Sequence, residues 1–116
     1  MNTIILILII IYLILSNKSY NPISIIKAKK LIKNKKIKSI VDVRTNEEWI
    51  KGHYPEAIHL PIEPSNQINK NSVKEIKEPV LIYCRSGRRA KNAAKIMHNL
   101  GVRNIYIINE NYKKLL

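Results

Sequence analysis

Hydrophobic and polar positions divide the chain into a wholly apolar start and a region where short apolar runs alternate with polar ones. The run "TIILILIIIYLIL", from Thr3 to Leu15, is apolar without a break. It predicts a helix that is apolar on every side, which a small domain cannot cover on all its faces. We therefore expect a hydrophobic anchor or signal segment over residues 1–16, a linker over 17–22 and one domain over 23–116.

The apolar start predicts attachment to a membrane. At 1.5 Å per residue it covers about 20 Å of the roughly 30 Å hydrocarbon core, and flanking residues such as Lys18 nearly close the gap. A cleaved signal peptide, giving an exported domain, is the alternative, but no basic residue precedes the run and "LSNKSYN" lacks a small-residue cleavage pattern. We expect a single-pass anchor through residues 3–15. Because the eight lysines before Asp42 follow the run, the domain is expected in the cytoplasm.

The remaining apolar runs predict a parallel β-sheet. Strands are expected where a short apolar run is bounded by turn residues: Ile40–Val43, Ala57–Pro61, Val80–Tyr83 and Asn104–Ile108. Helices are expected at Ser24–Asn34, from Thr45 or Asn46 to near Gly52, near Val73–Ile76, at Arg88–Leu100 and after the last strand. Strands that do not alternate and are separated by helices imply an α/β fold, a small parallel sheet flanked by helices.

The charge of the chain favours a membrane surface over nucleic acid. The formal net charge is +13, and residues 1–41 carry eight lysines and no acidic residue. A basic chain of this size raises the possibility of nucleic-acid binding. The lysines follow an apolar segment, however, and no aromatic residue is interleaved with the seven lysines from Lys27 to Lys38 as a base-stacking platform requires. Nucleic acid is the weaker interpretation.

The stretch "VLIYCRSGRRA" contains the one cysteine of the chain, Cys84. It follows a predicted strand, and open α/β sheets bind ligands beyond the carboxyl ends of their strands. The amides of the following turn, the helix dipole and three nearby arginines all favour a thiolate. The alternative is a small buried hydrophobic residue. Cations are unfavourable at a helix N-terminus, however, so three arginines there indicate a bound anion.

Two motifs resemble the rhodanese family of sulfurtransferases over about Ile23–Leu115: "IVDVRTNEEWIKGHYPEAIHLP" and "YCRSGRRA". The resemblance implies a five-stranded parallel sheet and no cofactor. It implies that Cys84 takes sulfur from thiosulfate or a persulfide donor and passes it to an external thiol or cyanide. The predicted substrate-binding residues are Arg85, Ser86, Gly87, Arg88 and Arg89, with Arg89 and either Arg85 or Arg88 binding the anionic donor. Asp42, Arg44 and His53 are expected to support the site, and the three histidines lack metal-ligand spacing.

Departures from the family pattern leave a second hypothesis open. Phosphatase relatives use Cys-x5-Arg, whereas four residues separate Cys84 from Arg89, which favours sulfur over phosphate. Glu56 stands where the family usually has glycine. Glu110-Asn111 replaces Gly-Gly, which predicts backbone strain at Glu110 and a shifted C-terminal helix. The alternative function is a non-catalytic, membrane-tethered module that binds a partner.

Overall fold

The computed structural model describes residues 2–16 and 19–116. It contains five strands, five α-helices and a C-terminal 3₁₀ helix within that part of the chain. In order, these are α1 Thr3–Ser16, β1 Asn21–Ile23, α2 Ile25–Lys33, β2 Ser39–Asp42, α3 Asn46–Ile50, β3 Ile58–His59, α4 Lys70–Val73, β4 Val80–Tyr83, α5 Arg88–Asn99, β5 Ile105–Ile108 and the 3₁₀ helix Tyr112–Leu115.

The strands form one parallel sheet in the order β1-β5-β4-β2-β3. The predicted α/β class, with a parallel sheet flanked by helices, is confirmed. All four residues of the central strand β4 are fully buried. They separate two apolar clusters, because successive strand side chains point to opposite faces. Val80 and Ile82 pack with α5, whereas Leu81 and Tyr83 lie in the cluster that contains α2.

The edge strand β1 was not predicted, and its first two residues fall in the segment assigned to a linker. Asn21 pairs with Tyr106 and Ile23 with Ile108, so β1 adds to the sheet beside β5. Only Ile23 of the three β1 residues is buried. A three-residue strand that contains Pro22 gives no periodic signal, and Asn-Pro is typical of a turn.

The helix α5 carries the clearest amphipathic pattern and fixes one face of the sheet. Ala90, Ala93, Ala94 and Met97 are completely buried along one side. The small alanine side chains allow the helix to approach β4 and β5 closely. Since α5 starts directly after the β4 loop, this packing determines where the N-terminal amides of the helix lie.

The apolar helix α1 is 14 residues long. Its large side chains from Ile4 to Ile14 are between 41% and 69% exposed. Over residues 2–16 and 19–116, no helix is both long and apolar enough to cross a membrane, so the predicted transmembrane helix is not found. Lys18, which that prediction used, lies outside the described residues.

Candidate active site

Cys84 lies directly beyond the carboxyl end of β4, in the loop that leads into α5. The residue is 1% exposed, and its Sγ accepts the backbone N–H of Gly87 at 3.0 Å and that of Ala90 at 3.4 Å. Amide donors stabilise a sulfur anion more than a neutral thiol, because a charged acceptor forms the stronger hydrogen bond. The loop residues 84–90 therefore form a partial ring of N–H groups around the sulfur, which we call the Cys84 loop.

Gly87 closes this loop in a conformation that other residues rarely adopt. Its φ is +105°, and a Cβ at this position would lie 3.2 Å from both Asn109 Cα and Ile108 O. The end of β5 thus lies close against the Cys84 loop, and a Cβ here would require that backbone to move by a few tenths of an ångström. Both the backbone angle and the close approach require glycine here.

Arg89 is held by Glu48 rather than pointing freely to solvent. Its Nη1 donates to Glu48 Oε1 at 2.6 Å and its Nη2 to Oε2 at 3.0 Å, a bidentate pair. The hydrogen bonds from Arg89 lower the pKa of Glu48 from 4.5 to about 2, against the opposing effect of partial burial. The same hydrogen bonds raise the pKa of Arg89 above its usual value. One of the three loop arginines is therefore electrically compensated.

Glu48 was not among the predicted site residues. It occupies the first turn of α3, where its side chain also accepts from the backbone N–H and hydroxyl of Thr45. Thr45 and Glu48 form a capping box, a sequence signature of a helix start. The motif gives a local reason for this carboxylate, but nothing in it predicts the contact with Arg89, which lies in α5.

Arg85 and Arg88 differ from Arg89 in being exposed. Arg88 contacts Glu63 at 3.4 Å, but the two side chains are 70% and 48% exposed, so the pair is weak. Among residues 2–16 and 19–116, the side chain of Arg85 has no hydrogen-bond or ion-pair partner. Ser86 is exposed between them. The predicted anion-binding residues thus surround Cys84, but they carry different amounts of uncompensated charge.

The Asp42–Arg44 pair is almost completely buried beside the site. Arg44 binds Asp42 Oδ2 through Nη2 at 2.8 Å, and it donates to Tyr112 Oη and to the carbonyl of Gly52, each at 2.7 Å. Burial alone lowers the pKa of Arg44, but hydrogen bonds and charge from Asp42 raise it above its usual value. Arg44 connects the end of β2 to the 3₁₀ helix. The supporting role of this pair stays a prediction.

His53 packs against Trp49. The two rings are stacked at 3.4 Å, and His53 Nδ1 contacts the Trp49 carbonyl at 2.9 Å. His59 stacks on Trp49 at 4.4 Å, and its Nε2 contacts the Arg44 carbonyl at 2.8 Å. None of these contacts is to the Cys84 loop, and the supporting role of His53 also stays a prediction.

Glu110 and Asn111 do not show the strain that the sequence predicts. Asn111 has φ −63° and caps the 3₁₀ helix through its side chain, and Glu110 is not among the residues with positive φ. Glu110 Oε1 accepts the N–H of Ile25 at 3.1 Å, at the start of α2. Glu56 does have a left-handed backbone, with φ +66°, where the family pattern has glycine.

Two cavities flank the Cys84 loop. One, of about 290 Å³, is lined by Arg44, Glu48, Lys51, Arg85, Tyr112 and Lys113. The other, of about 250 Å³, is lined by Ser86, Gly87, Arg88, Lys91 and Asn109. In the described part of the chain, no group of three or more His, Cys, Asp or Glu side chains is arranged to hold a metal ion. The site therefore offers a sulfur nucleophile, amide donors and cationic cavities.

Comparison with known proteins gives a consistent assignment. The family model for the rhodanese-like domain matches residues 24–116. The thiosulfate sulfurtransferase GlpE of Coxiella burnetii is 30% identical over 87 residues, which cover 75% of this chain and 78% of GlpE. The putative sulfur carrier protein YrkF of Bacillus subtilis is 34% identical over 71 residues. That match covers 58% of this chain but 35% of YrkF, so the chain spans about a third of that relative.

Solved structures also share the fold. A crystal structure from Staphylococcus saprophyticus is 26% identical to this chain, with a TM-score of 0.62. The match covers 83% of this chain and 93% of that protein. The described domain is therefore similar in fold to nearly all of that chain.

Proposed function

The chain belongs to the rhodanese-like domain family, and from this premise we propose that it transfers sulfane sulfur through a persulfide on Cys84. The observation that carries the proposal is the pair of amide hydrogen bonds to Cys84 Sγ, at 3.0 Å from Gly87 and 3.4 Å from Ala90. Those donors suit a sulfur that cycles between a thiolate and a terminal persulfide anion, since both are acceptors.

In the first step, the Cys84 thiolate attacks the outer sulfur of thiosulfate. A new S–S bond forms to Cys84, the S–S bond of thiosulfate breaks, and sulfite leaves with the bonding electron pair. The amides of residues 85–90 stabilise the negative terminal sulfur of the product. Arg85 and Arg88, which are exposed beside the loop, attract the anionic donor. Arg89, which is paired with Glu48, contributes more to the position of the loop.

In the second step, an acceptor thiolate or cyanide attacks the outer sulfur of the persulfide. The Cys84 S–S bond breaks, and Cys84 leaves as the thiolate that begins the next cycle. The chain has one cysteine, so a second protein thiol cannot resolve the persulfide within the molecule. The acceptor therefore comes from outside.

Steady-state turnover tests the proposal. The full-length chain, kept in solution with a non-ionic detergent because α1 exposes apolar side chains, is incubated with thiosulfate and cyanide. We expect release of sulfite and thiocyanate from the wild type and none from Cys84→Ser, with no hydrolysis of a phenyl phosphate ester. Equal rates for wild type and Cys84→Ser would favour the alternative, a partner-binding module without catalysis.

We also propose that α1 attaches the chain to a membrane. The exposed apolar side chains of Ile4 to Ile14 and the exposed lysines between residues 27 and 38 support this. A cytoplasmic domain remains the expectation, with export after cleavage as the alternative. Cell fractionation is expected to recover the full-length chain with membranes after a high-salt wash. Recovery in the soluble fraction would contradict the proposal.

A further inference from the structure

Three cations meet on one side of the Cys84 loop, and each comes from a different element. Lys51 directly follows α3, Arg85 follows Cys84, and Lys113 lies in the 3₁₀ helix. All three line the cavity of about 290 Å³ and all three are exposed. Among residues 2–16 and 19–116, none of their side chains makes a hydrogen bond or an ion pair. We call this space the acceptor cavity.

The other charged groups of the acceptor cavity are already paired. Glu48 contributes both carboxylate oxygens to Arg89, at 2.6 and 3.0 Å. Arg44 is neutralised by Asp42 at 2.8 Å. The three unpaired cations therefore leave the cavity with an excess positive charge that no described carboxylate offsets. Like charges gathered around one cavity repel one another, and a bound anion relieves that repulsion.

We propose that this cavity binds the carboxylate groups of the sulfur acceptor, so that the acceptor is a small anionic thiol. The inference rests on the proposed function and adds Lys51 and Lys113 as residues that determine specificity. The thiolate of the acceptor attacks the outer sulfur on Cys84, the Cys84 S–S bond breaks, and the acceptor leaves as a persulfide that takes up one proton from solvent.

The placement of the cations favours the acceptor over the donor as the occupant, because Lys51 and Lys113 lie outside the Cys84 loop. Thiosulfate is a single tetrahedral ion whose negative charge can be met by the amides and arginines of the loop itself. The acceptor cavity lies beside the loop, because it shares Arg85 with it, and Tyr112 forms part of its wall. Three cations from three parts of the chain suit a molecule with more than one carboxylate, whose thiol is then directed to the loop through Arg85.

The test measures only the second step. Full-length protein is loaded with thiosulfate, freed of excess donor, and mixed with thiols that differ in charge: mercaptosuccinate, 3-mercaptopropionate, 2-mercaptoethanol and cysteamine. Loss of the added sulfur is followed by intact mass after rapid quenching. The rate for each variant is divided by the wild-type rate with the same thiol, which cancels the intrinsic reactivity of that thiol.

The variants are Lys51→Gln, Lys113→Gln and the double variant, with Lys91→Gln as the control. Lys91 lines the cavity on the other side of the loop, so its substitution removes the same charge at a different place. With mercaptosuccinate we expect about a twofold to fivefold loss for each single variant and about tenfold for the double variant, typical of exposed charge pairs. We expect no change with 2-mercaptoethanol.

Two results would overturn the inference while leaving sulfur transfer intact. One is an equal loss of rate with neutral and dianionic thiols, which would indicate a change in the loop rather than recognition of charge. The other is an equal effect of Lys91→Gln, which would indicate a general field around the site. Failure of the wild type to acquire sulfur from thiosulfate would instead refute the proposed function, and this inference with it.

Discussion

Replacing Glu48 with glutamine tests whether the carboxylate beside the Cys84 loop holds Arg89 through its charge. Glutamine keeps the size of the side chain and some hydrogen bonding but removes the charge. The pKa of Glu48 falls from 4.5 to about 2 in the folded chain. At 1.36 kcal/mol per pH unit, this sets an upper limit of roughly 3.4 kcal/mol on what the charge of Glu48 contributes to the free energy of unfolding. The Glu48 side chain is 30% exposed, so screening by solvent reduces the expected loss to about 1–2 kcal/mol.

The pH dependence of this loss has a definite sign. Glu48 has a lower pKa in the folded chain than in the unfolded chain, so its contribution is complete above about pH 4.5 and is lost as the pH falls towards 2. At pH 3 roughly two fifths of the contribution remains. Urea unfolding of wild type and Glu48→Gln at pH 7 and pH 3 measures both values, and the difference between the two proteins is expected to shrink by more than half.

Glu47→Gln is the matched control for this measurement. Glu47 lies in the same first turn of α3, where a carboxylate interacts with the helix dipole, but it makes no ion pair in the described part of the chain. We expect Glu47→Gln to lower the free energy of unfolding by about 0.5 kcal/mol or less. Equal losses for the two variants, or a Glu48→Gln loss that is the same at both pH values, would refute the assignment of the effect to the Arg89 pair.

Four further substitutions have expected outcomes, one of them, Gly101→Ala, as a control. Gly87→Ala should lower the free energy of unfolding in urea by about 2 kcal/mol and slow persulfide formation at least about tenfold. Gly101 has φ +99° but lies in open space, so Gly101→Ala should lower the free energy of unfolding by about 1 kcal/mol and leave the reaction unchanged. Glu56→Gly should raise the free energy of unfolding by about 0.5–1 kcal/mol, because it relieves a left-handed backbone at φ +66°. Glu110→Ala should lower the free energy of unfolding by about 1 kcal/mol, since the N–H of Ile25 loses its acceptor.

Each of these outcomes has a result that would contradict its reasoning. Normal persulfide formation by Gly87→Ala would show that the loop tolerates a side chain beside Asn109. A less stable Glu56→Gly would mean that contacts of the glutamate outweigh its backbone strain. Unchanged stability in Glu110→Ala would mean that water replaces the carboxylate at the start of α2.

Local patterns in the sequence predicted the centre of the sheet and the position of the thiol. The apolar run of β4 and the alanine stripe of α5 specify a buried strand and the helix that covers it, and the loop between them contains Cys84. These features depend on residues close together in the chain. Short strands and helix starts are likewise recognisable when their own residues carry the signal, as in the capping box of Thr45 and Glu48.

Those local patterns could not predict contacts between segments that are distant in the sequence. Glu48 and Arg89 are 41 residues apart, and Ile25 and Glu110 are 85 residues apart, so neither pairing leaves a periodic trace. The edge strand β1 depends on pairing with β5 rather than on its own three residues. The resemblance to a family predicted backbone strain at Glu110, but Glu110 does not have a positive φ. Its carboxylate instead accepts the N–H of Ile25, a contact that glycine could not make.

The central claim is that Cys84 becomes a persulfide, and intact mass tests it most directly. Full-length protein is exposed to thiosulfate without an acceptor, weighed, and digested to locate any added mass. We predict a gain of about 32 Da, one sulfur atom, on the peptide that contains Cys84, reversed by an added thiol. No gain in the wild type, or the same gain in Cys84→Ser, would contradict sulfur transfer through this residue.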